Sequence, residues 1–489
     1  MNNAGIKTFG FTYAFKKQMK LVACSSFFLL LCTWLFIPFG ATGDMDYHLA
    51  TIWCAHGEKE GSCSKIDRAE NTAEVPFMFQ MCDSRNIDFW PKCEFEEVHP
   101  ETQRLRIAPP GQTSIYYRVV HFFVDSEIQS SVLKIRVFNS LISSIVLFLL
   151  LSITTSRIRF ASIVGFTFSI IPFGLQHFSG VTTRGWAVLA VMTSWAFLAS
   201  FLQTPKSESR LRALQSSAYG FTLLLALFSR IDALAMVLIT SLVVFISQVI
   251  QIKPLSKKQL LIGTSCAVFV GGVSQYLPRI NNYANFTIPQ DFGIAQYILF
   301  QFVHIPEYMA DWWNYGIGQD GSGPGVVGLI GVLLFVLNLG FALQSSDLQQ
   351  RMLFTGFSLL IFTLLAKSSS SIGSLVPLTA FYTLGLAAPW LGTTIANSRN
   401  KLQFMSTQGN RRTAIWLLSF SHAVFFYDLL EFYTKRGVNV SYFETISLNN
   451  VWWWDVWVGP NTVFLAGAAL FPFFLSTLWR TIPLDFPEK

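Results

Sequence analysis

Two carboxylates and an imidazole follow one another closely, Asp44, Asp46 and His48, just after an apolar run ends at Phe36-Ile37-Pro38-Phe39-Gly40. A positioned carboxylate can take the proton of a hydroxyl while that oxygen forms a new bond. An imidazole beside it can bind phosphate, share the proton, or cap a helix beginning near Tyr47. Asp44 and Asp46 are one residue apart, so an extended segment would point them to opposite sides. One would then face a substrate while the other holds a cation or orients the loop. Asp after Gly is also ordinary turn chemistry, so the cluster gains meaning only from the elements that place it.

Those elements are membrane spans. The chain has 489 residues, of which 52% are hydrophobic and 13% charged. An ordinary soluble domain carries about 25% charged residues. The apolar residues form runs of about 17–22, long enough to cross a bilayer as helices. The expected fold is an all-α polytopic membrane protein of about twelve spans, near 20–39, 132–153, 160–178, 186–203, 214–229, 233–251, 260–278, 325–344, 352–366, 375–395, 413–429 and 463–480. The net charge of +7 needs no nucleic-acid partner, because Lys and Arg collect in cytoplasmic loops. The first run, Leu21 to Phe39, follows Lys7, Lys16, Lys17 and Lys20 and reads as an uncleaved signal anchor with a cytoplasmic N-terminus.

The charge pattern supports the alternation. Connections on one side hold Arg157/Arg159, Lys206/Arg210/Arg212, Lys253/Lys257/Lys258, Arg351 and Arg399/Lys401/Arg411/Arg412; short connections on the other hold Arg184, Arg230, Arg279, Lys367, Lys435 and Arg436. The expected division is a cytoplasmic 1–20, a first helix over 21–39, an extracytoplasmic loop domain over 40–131 and a helical domain over 132–480. External segments 279–324 and 430–462 interrupt that domain, and a cytoplasmic tail, 481–489, follows it.

Four of the seven cysteines, Cys54, Cys63, Cys82 and Cys93, fall in the first external loop. Four allow three pairings. Cys54–Cys63 and Cys82–Cys93 close the shortest loops and are expected, since the extracytoplasmic side is oxidising. Arg230 and Asp232 sit at a membrane boundary, where ionisable groups are costly unless paired or functional. Arg184 ends a polar turn and could reach a lipid phosphate. Lys134 and Arg136 are expected to snorkel to headgroups. Arg118, beside Tyr116-Tyr117, could meet a sugar phosphate or form a loop salt bridge.

The run Asp44-Met45-Asp46-Tyr47-His48-Leu49-Ala50-Thr51-Ile52-Trp53-Cys54 resembles a group of multi-spanning proteins of unknown function, frequent in actinobacteria, within the GT-C glycosyltransferase superfamily. The likeness continues through Pro109-Pro110, Tyr116-Tyr117, Arg136-Val137-Phe138-Asn139, Ser229-Arg230-Ile231-Asp232 and Trp313-Asn314-Tyr315-Gly316. The first cysteine pair also fits that group's spacing. The resemblance implies a GT-C-like fold and an inverting transferase that takes a sugar from a polyprenyl-phosphate donor. Asp44 matches the group's leading carboxylate and would be the base, with Asp46 as its companion. His48, Arg118, Arg184, Arg230 and Asp232 are the candidate substrate contacts. A divalent cation, Mg or Mn, could assist the leaving phosphate. Two positions depart from the pattern: Met45 replaces the Glu of an Asp-Glu pair, and Gly373-Ser374 replaces an Arg-Tyr before Pro377-Leu378.

The resulting expectation is a multi-pass plasma-membrane glycosyltransferase with both termini cytoplasmic. Its partners would be a polyprenyl-phosphate-linked sugar, an envelope glycan or glycolipid acceptor, and membrane lipids. Two other readings suit many spans with intramembrane charges: a transporter or flippase of a lipid-linked glycan, and an inactive GT-C-like scaffold.

Overall fold

The computed structural model describes residues 13–35, 45–59, 62–75, 103–109, 114–170, 173–252, 408–434 and 458–481. In chain order the helices are α1 (Tyr13–Leu35), α2 (Met45–Trp53), α3 (Ile115–His121), α4 (Ile128–Ile153), α5 (Ser156–Ile170), α6 (Phe173–Phe178), α7 (Arg184–Gln203), α8 (Ser209–Ser229), α9 (Ile231–Ile252), α10 (Gln408–Thr434) and α11 (Pro460–Trp479). Strands β1 (Ser64–Asp67), β2 (Thr72–Val75) and β3 (Gln103–Arg106) lie between α2 and α3. Asp44, Cys82, Cys93, the spans expected near 260–278, 325–344, 352–366 and 375–395, all of 279–324, and 435–457 of the segment 430–462 lie outside the described residues.

Five helices among the described residues are long and apolar enough to cross a membrane: Lys17–Leu35 within α1, then α4, α7, α8 and α11. Their limits follow local chemistry. Pro460 opens α11 at its first helical position, where a missing N–H costs nothing, and Gly459 precedes it. The run expected as one span over 160–178 is divided into α5 and α6. Pro172 falls between them, and proline removes a backbone donor and clashes with the preceding turn. Between α8 and α9 only Arg230 leaves the helical conformation, at φ −159° and ψ 140°.

Side-chain bonds fix how the spans alternate. At one end of the bundle Gln18 donates to the Thr477 carbonyl (2.9 Å), Gln215 to the Ile153 carbonyl (2.8 Å) and Arg212 to the Thr204 carbonyl (2.7 Å). At the other end Arg136 donates to the Trp34 carbonyl (3.0 Å) and Ser179 to the Leu30 carbonyl (3.2 Å). The start of α1 and the end of α11 therefore share one face. Within the bundle, Ser26 of α1 bonds Ser144 of α4 at 3.0 Å. Small polar residues allow such close helix approach where lipid offers no competing partner.

The expected all-α fold needs one correction. The 40–131 loop carries a three-stranded antiparallel sheet in the order β1-β2-β3. The strands are four residues each and largely polar, so their alternation is too short to read from sequence alone. Ala73, Val75 and Leu105 turn inward. Outside, Lys65 pairs with Glu74 at 3.0 Å, and Arg104 pairs with Asp67 at 2.6 Å. Asp67 also accepts from the Ala69 and Glu70 amides, closing the β1–β2 turn in which Asn71 takes φ +53°. The sheet is tied to α2 by Thr51, whose hydroxyl donates to the Tyr47 carbonyl and accepts from the Ala108 amide.

The Cys54–Cys63 disulfide is present, with Cα atoms 5.2 Å apart. It joins the end of α2 to the start of β1. Replacing both cysteines by Ser should lower the stability of the loop by about 2–5 kcal/mol, as in other small extracellular domains. Thermal unfolding of the purified protein, followed by protection of the 45–125 region from proteolysis, measures this. An unchanged midpoint and unchanged protection would show that the bond does not brace the loop.

Candidate functional site

The site begins with α2. Asp46 lies in the first turn of that helix rather than in extended chain, and His48 lies inside the helix rather than at its cap. The apolar face Leu49, Ile52 and Trp53 anchors α2 against the loop core, all at 1% exposure or less. That packing draws His48 inward to 5% exposure. Its Nδ1 lies 2.6 Å from the Tyr117 hydroxyl of α3.

Burial keeps the His48 imidazole well below its ordinary pKa, and the nearby charges of Arg184 and Arg230 push in the same direction. The ring is therefore neutral at pH 7. Three expected site residues, His48, Arg184 and Arg230, thus share one neighbourhood. Asp232 joins them through Arg230, whose Nε lies 3.0 Å from the Asp232 carboxylate. Both partners of that pair are about four-fifths buried. Arg184 opens α7 and is half-buried.

Beneath this group lies a polar network that the sequence did not assign to the site. Asn139 of α4, 1% exposed, donates through Nδ2 to the Tyr116 hydroxyl (3.0 Å) and the Gly180 carbonyl (2.6 Å). Its Oδ1 accepts from Trp186 Nε1 at 3.1 Å. Tyr116 meets Trp186 edge to face at 5.0 Å, and burial raises the Tyr116 pKa strongly, holding the phenol protonated. Ser143 donates to the Phe178 carbonyl (3.0 Å). Gly185 is required here: a Cβ on it would come within 2.1 Å of the His177 carbonyl oxygen. That close approach sets α6 against the start of α7, and hence the place of Arg184.

One expectation is corrected. Arg136 does not snorkel: it is 1% exposed, with its guanidinium 4.8 Å above the Trp34 ring. The negative end of α1 rewards a cation at that point, as any helix C-terminus does. Lys134, two residues earlier and on the other side of α4, is exposed and pairs with Asp125. Arg118 is exposed on α3, whereas its neighbours Tyr116 and Tyr117 face inward. It is Tyr117, not Arg118, that reaches the His48 group. The signal was in the sequence: two adjacent tyrosines in a short loop helix, and an Asn three residues after an Arg in an apolar span.

These features define a polytopic α-helical membrane protein with a structured loop domain and a buried, charged site at one end of its bundle. Residues 27–298, more than half of the chain, match the family described as "Predicted membrane protein (DUF2142)", and the chain belongs to that family. The match contains His48, Tyr116, Tyr117, Arg136, Asn139, Arg184, Trp186, Arg230 and Asp232. No curated protein and no solved structure matches the chain.

Two measurements test this geometry. Asn139→Leu removes one amide and strands three buried groups, each worth about 1–3 kcal/mol when unsatisfied. The variant should unfold well below the wild type in a thermal scan; equal midpoints would deny the network a structural role. His48 gives a pH signature. An unfolded histidine takes a proton below about pH 6.5, but the buried ring does not. Stability from His48 is thus present above that pH and lost as pH falls, by up to about 1.4 kcal/mol per unit. His48→Gln should flatten the difference between unfolding at pH 7.5 and pH 5. The same slope in both proteins would show that His48 takes its proton as easily folded as unfolded.

Proposed function

We propose that the protein is an inverting GT-C-type glycosyltransferase of about twelve spans. It moves a sugar from a polyprenyl-phosphate donor to an extracytoplasmic envelope glycan or glycolipid. The 40–131 loop lies outside the plasma membrane, and both termini are cytoplasmic. Support for that orientation comes from the charge alternation and from a disulfide that suits an oxidising compartment.

The observation that carries the reading is the meeting of Arg184, Arg230 and the start of α7 beside His48. A helix N-terminus attracts anions, and a phosphate held there meets backbone N–H groups. The first turn of α7 holds no acidic residue, and the Thr183 side chain does not cap it. Two arginines in the same place suit a lipid-linked phosphate.

In this reading a carboxylate at the entrance to α2 takes the proton of the acceptor hydroxyl. The acceptor oxygen attacks the anomeric carbon, and the bond from that carbon to the donor phosphate oxygen breaks. The phosphate leaves with the electron pair, and Arg184 and Arg230 offset its charge. Asp44 is the base, by its match to the group's leading carboxylate, and Asp46 is its companion. Neutral His48 offers a hydrogen bond without competing for the anion. Among the described residues no three His, Cys, Asp or Glu side chains gather as a metal site, so no step here is routed through Mg or Mn.

The experiment is transfer of a labelled sugar from polyprenyl phosphate by purified, monodisperse protein. Asp44→Asn should lower the rate by about 10²–10⁴-fold, the usual loss with a general base, and Asp46→Asn should cost less. Arg184→Gln should raise the donor KM. Full activity in Asp44→Asn would remove Asp44 as the base. Full activity in the Asp44/Asp46 double variant would replace the transferase reading with that of a carrier or scaffold.

A further inference from the structure

A second group of side chains lies one helical turn from His48, outside the site above. His121 ends α3, and its Nδ1 is 2.8 Å from the Ile52 carbonyl of α2. His48 is four residues before Ile52, and Tyr117 is four residues before His121. The two contacts therefore repeat along a parallel helix pair, with the second pair at the ends of both helices. There the ring of His56 approaches that of His121, with centroids 4.5 Å apart and planes tilted by 59°. His56 is exposed and His121 half-buried.

We infer that His56 and His121 form a binding site for a borderline transition-metal cation of the Cu2+, Ni2+ or Zn2+ class, completed by water. Four observations carry this. First, a carbonyl can only accept, so His121 Nδ1 carries the hydrogen and its Nε2 presents a lone pair. A hydrogen bond from the second ring nitrogen to a carbonyl is the usual support for a ligating histidine. Second, the spacing fits. With metal–nitrogen distances of about 2.0–2.1 Å, two imidazoles on one ion at ligand angles near 90–105° have centroids roughly 4.5–5 Å apart.

Third, the backbone on the His56 side is held. Cys54 is bonded to Cys63, the Gly57 amide donates to the Cys54 carbonyl at 3.0 Å, and Gly57 takes φ +90°, a conformation that favours glycine. His56 thus stands in a tight turn clamped by a disulfide. Fourth, the site lies at the carbonyl end of α2, where a helix favours positive charge. Imidazole selects Cu, Ni and Zn over hard cations, which take oxygen ligands. Such an ion would pin the end of α2 to the end of α3, one turn beyond the His48–Tyr117 contact.

The test uses the full-length protein in detergent, carried on a tag without histidine and stripped with chelator. CuCl2, NiCl2, ZnCl2 and MgCl2 are titrated by calorimetry and by thermal unfolding. Cu2+, Ni2+ and Zn2+ should bind with one-to-one stoichiometry and raise the midpoint, with Cu2+ tightest, and MgCl2 should do neither. Binding should weaken in acid, where protons compete for the ring nitrogens. His56→Gln alters an exposed residue and should weaken binding at least by the 10–100-fold typical of lost outer-shell partners, roughly speaking. His121→Gln keeps a donor for the Ile52 carbonyl and should do the same. No binding, or equal binding by the wild type and the His56/His121 double variant, overturns the site. Neither result bears on sugar transfer, so this inference and the transferase reading fail separately.

Discussion

Asn139 carries the constraint on which the site depends. Its amide has two donor hydrogens and an acceptor oxygen, and it lies where water cannot reach it. Leaving such a group unpaired costs several times what an ordinary hydrogen bond contributes. The solution takes one partner from each of three segments: Tyr116 of α3, Gly180 after α6 and Trp186 of α7. Once Tyr116 is fixed, Tyr117 is fixed, and with it the ring of His48. Once Trp186 is fixed, Arg184 is held two residues away at the head of α7. Gly180 brings Ser179 to the Leu30 carbonyl, joining the end of α1 to the same assembly. The loop domain and the bundle are therefore positioned by one side chain in the second span.

Much of the bundle was legible because its physics is local. A run of about 20 apolar residues has few alternatives to a spanning helix. The division of 160–178 into α5 and α6 was not read, although Pro172 lies in that run. The Cys54–Cys63 bond was legible from spacing. What could not be read was non-local. Tyr117 is 69 positions from His48, and no periodicity connects them. The sheet failed for a related reason: a four-residue polar strand gains its alternation from the partner it pairs with, here β2 against β3 from Thr72–Arg106 to Val75–Gln103. Arg136 was misread because snorkelling and inward pairing look alike in sequence. The difference lies in the Trp34 carbonyl, a helix-end acceptor that only the packing of α1 on α4 brings near.

The placement of charge bears on which function suits this fold. An arginine at the first position of a helix opposes the helix dipole, by about 0.3–1 kcal/mol in exposed settings and more when partly buried. Arg184 stands there, half-buried, and its charge together with that of Arg230 disfavours a proton on His48. An anion at this end would meet the arginines, the helix N-terminus and a neutral imidazole, all acting in one direction. A carrier could use the same features, but it would have to release the anion to either side. The Asn139 network ties α3, α4 and α7 into one body at this end, and Arg136 fixes α1 to it. A body tied in this way suits chemistry at a fixed place better than rocking about a central site, which is the physical ground for preferring transfer to transport.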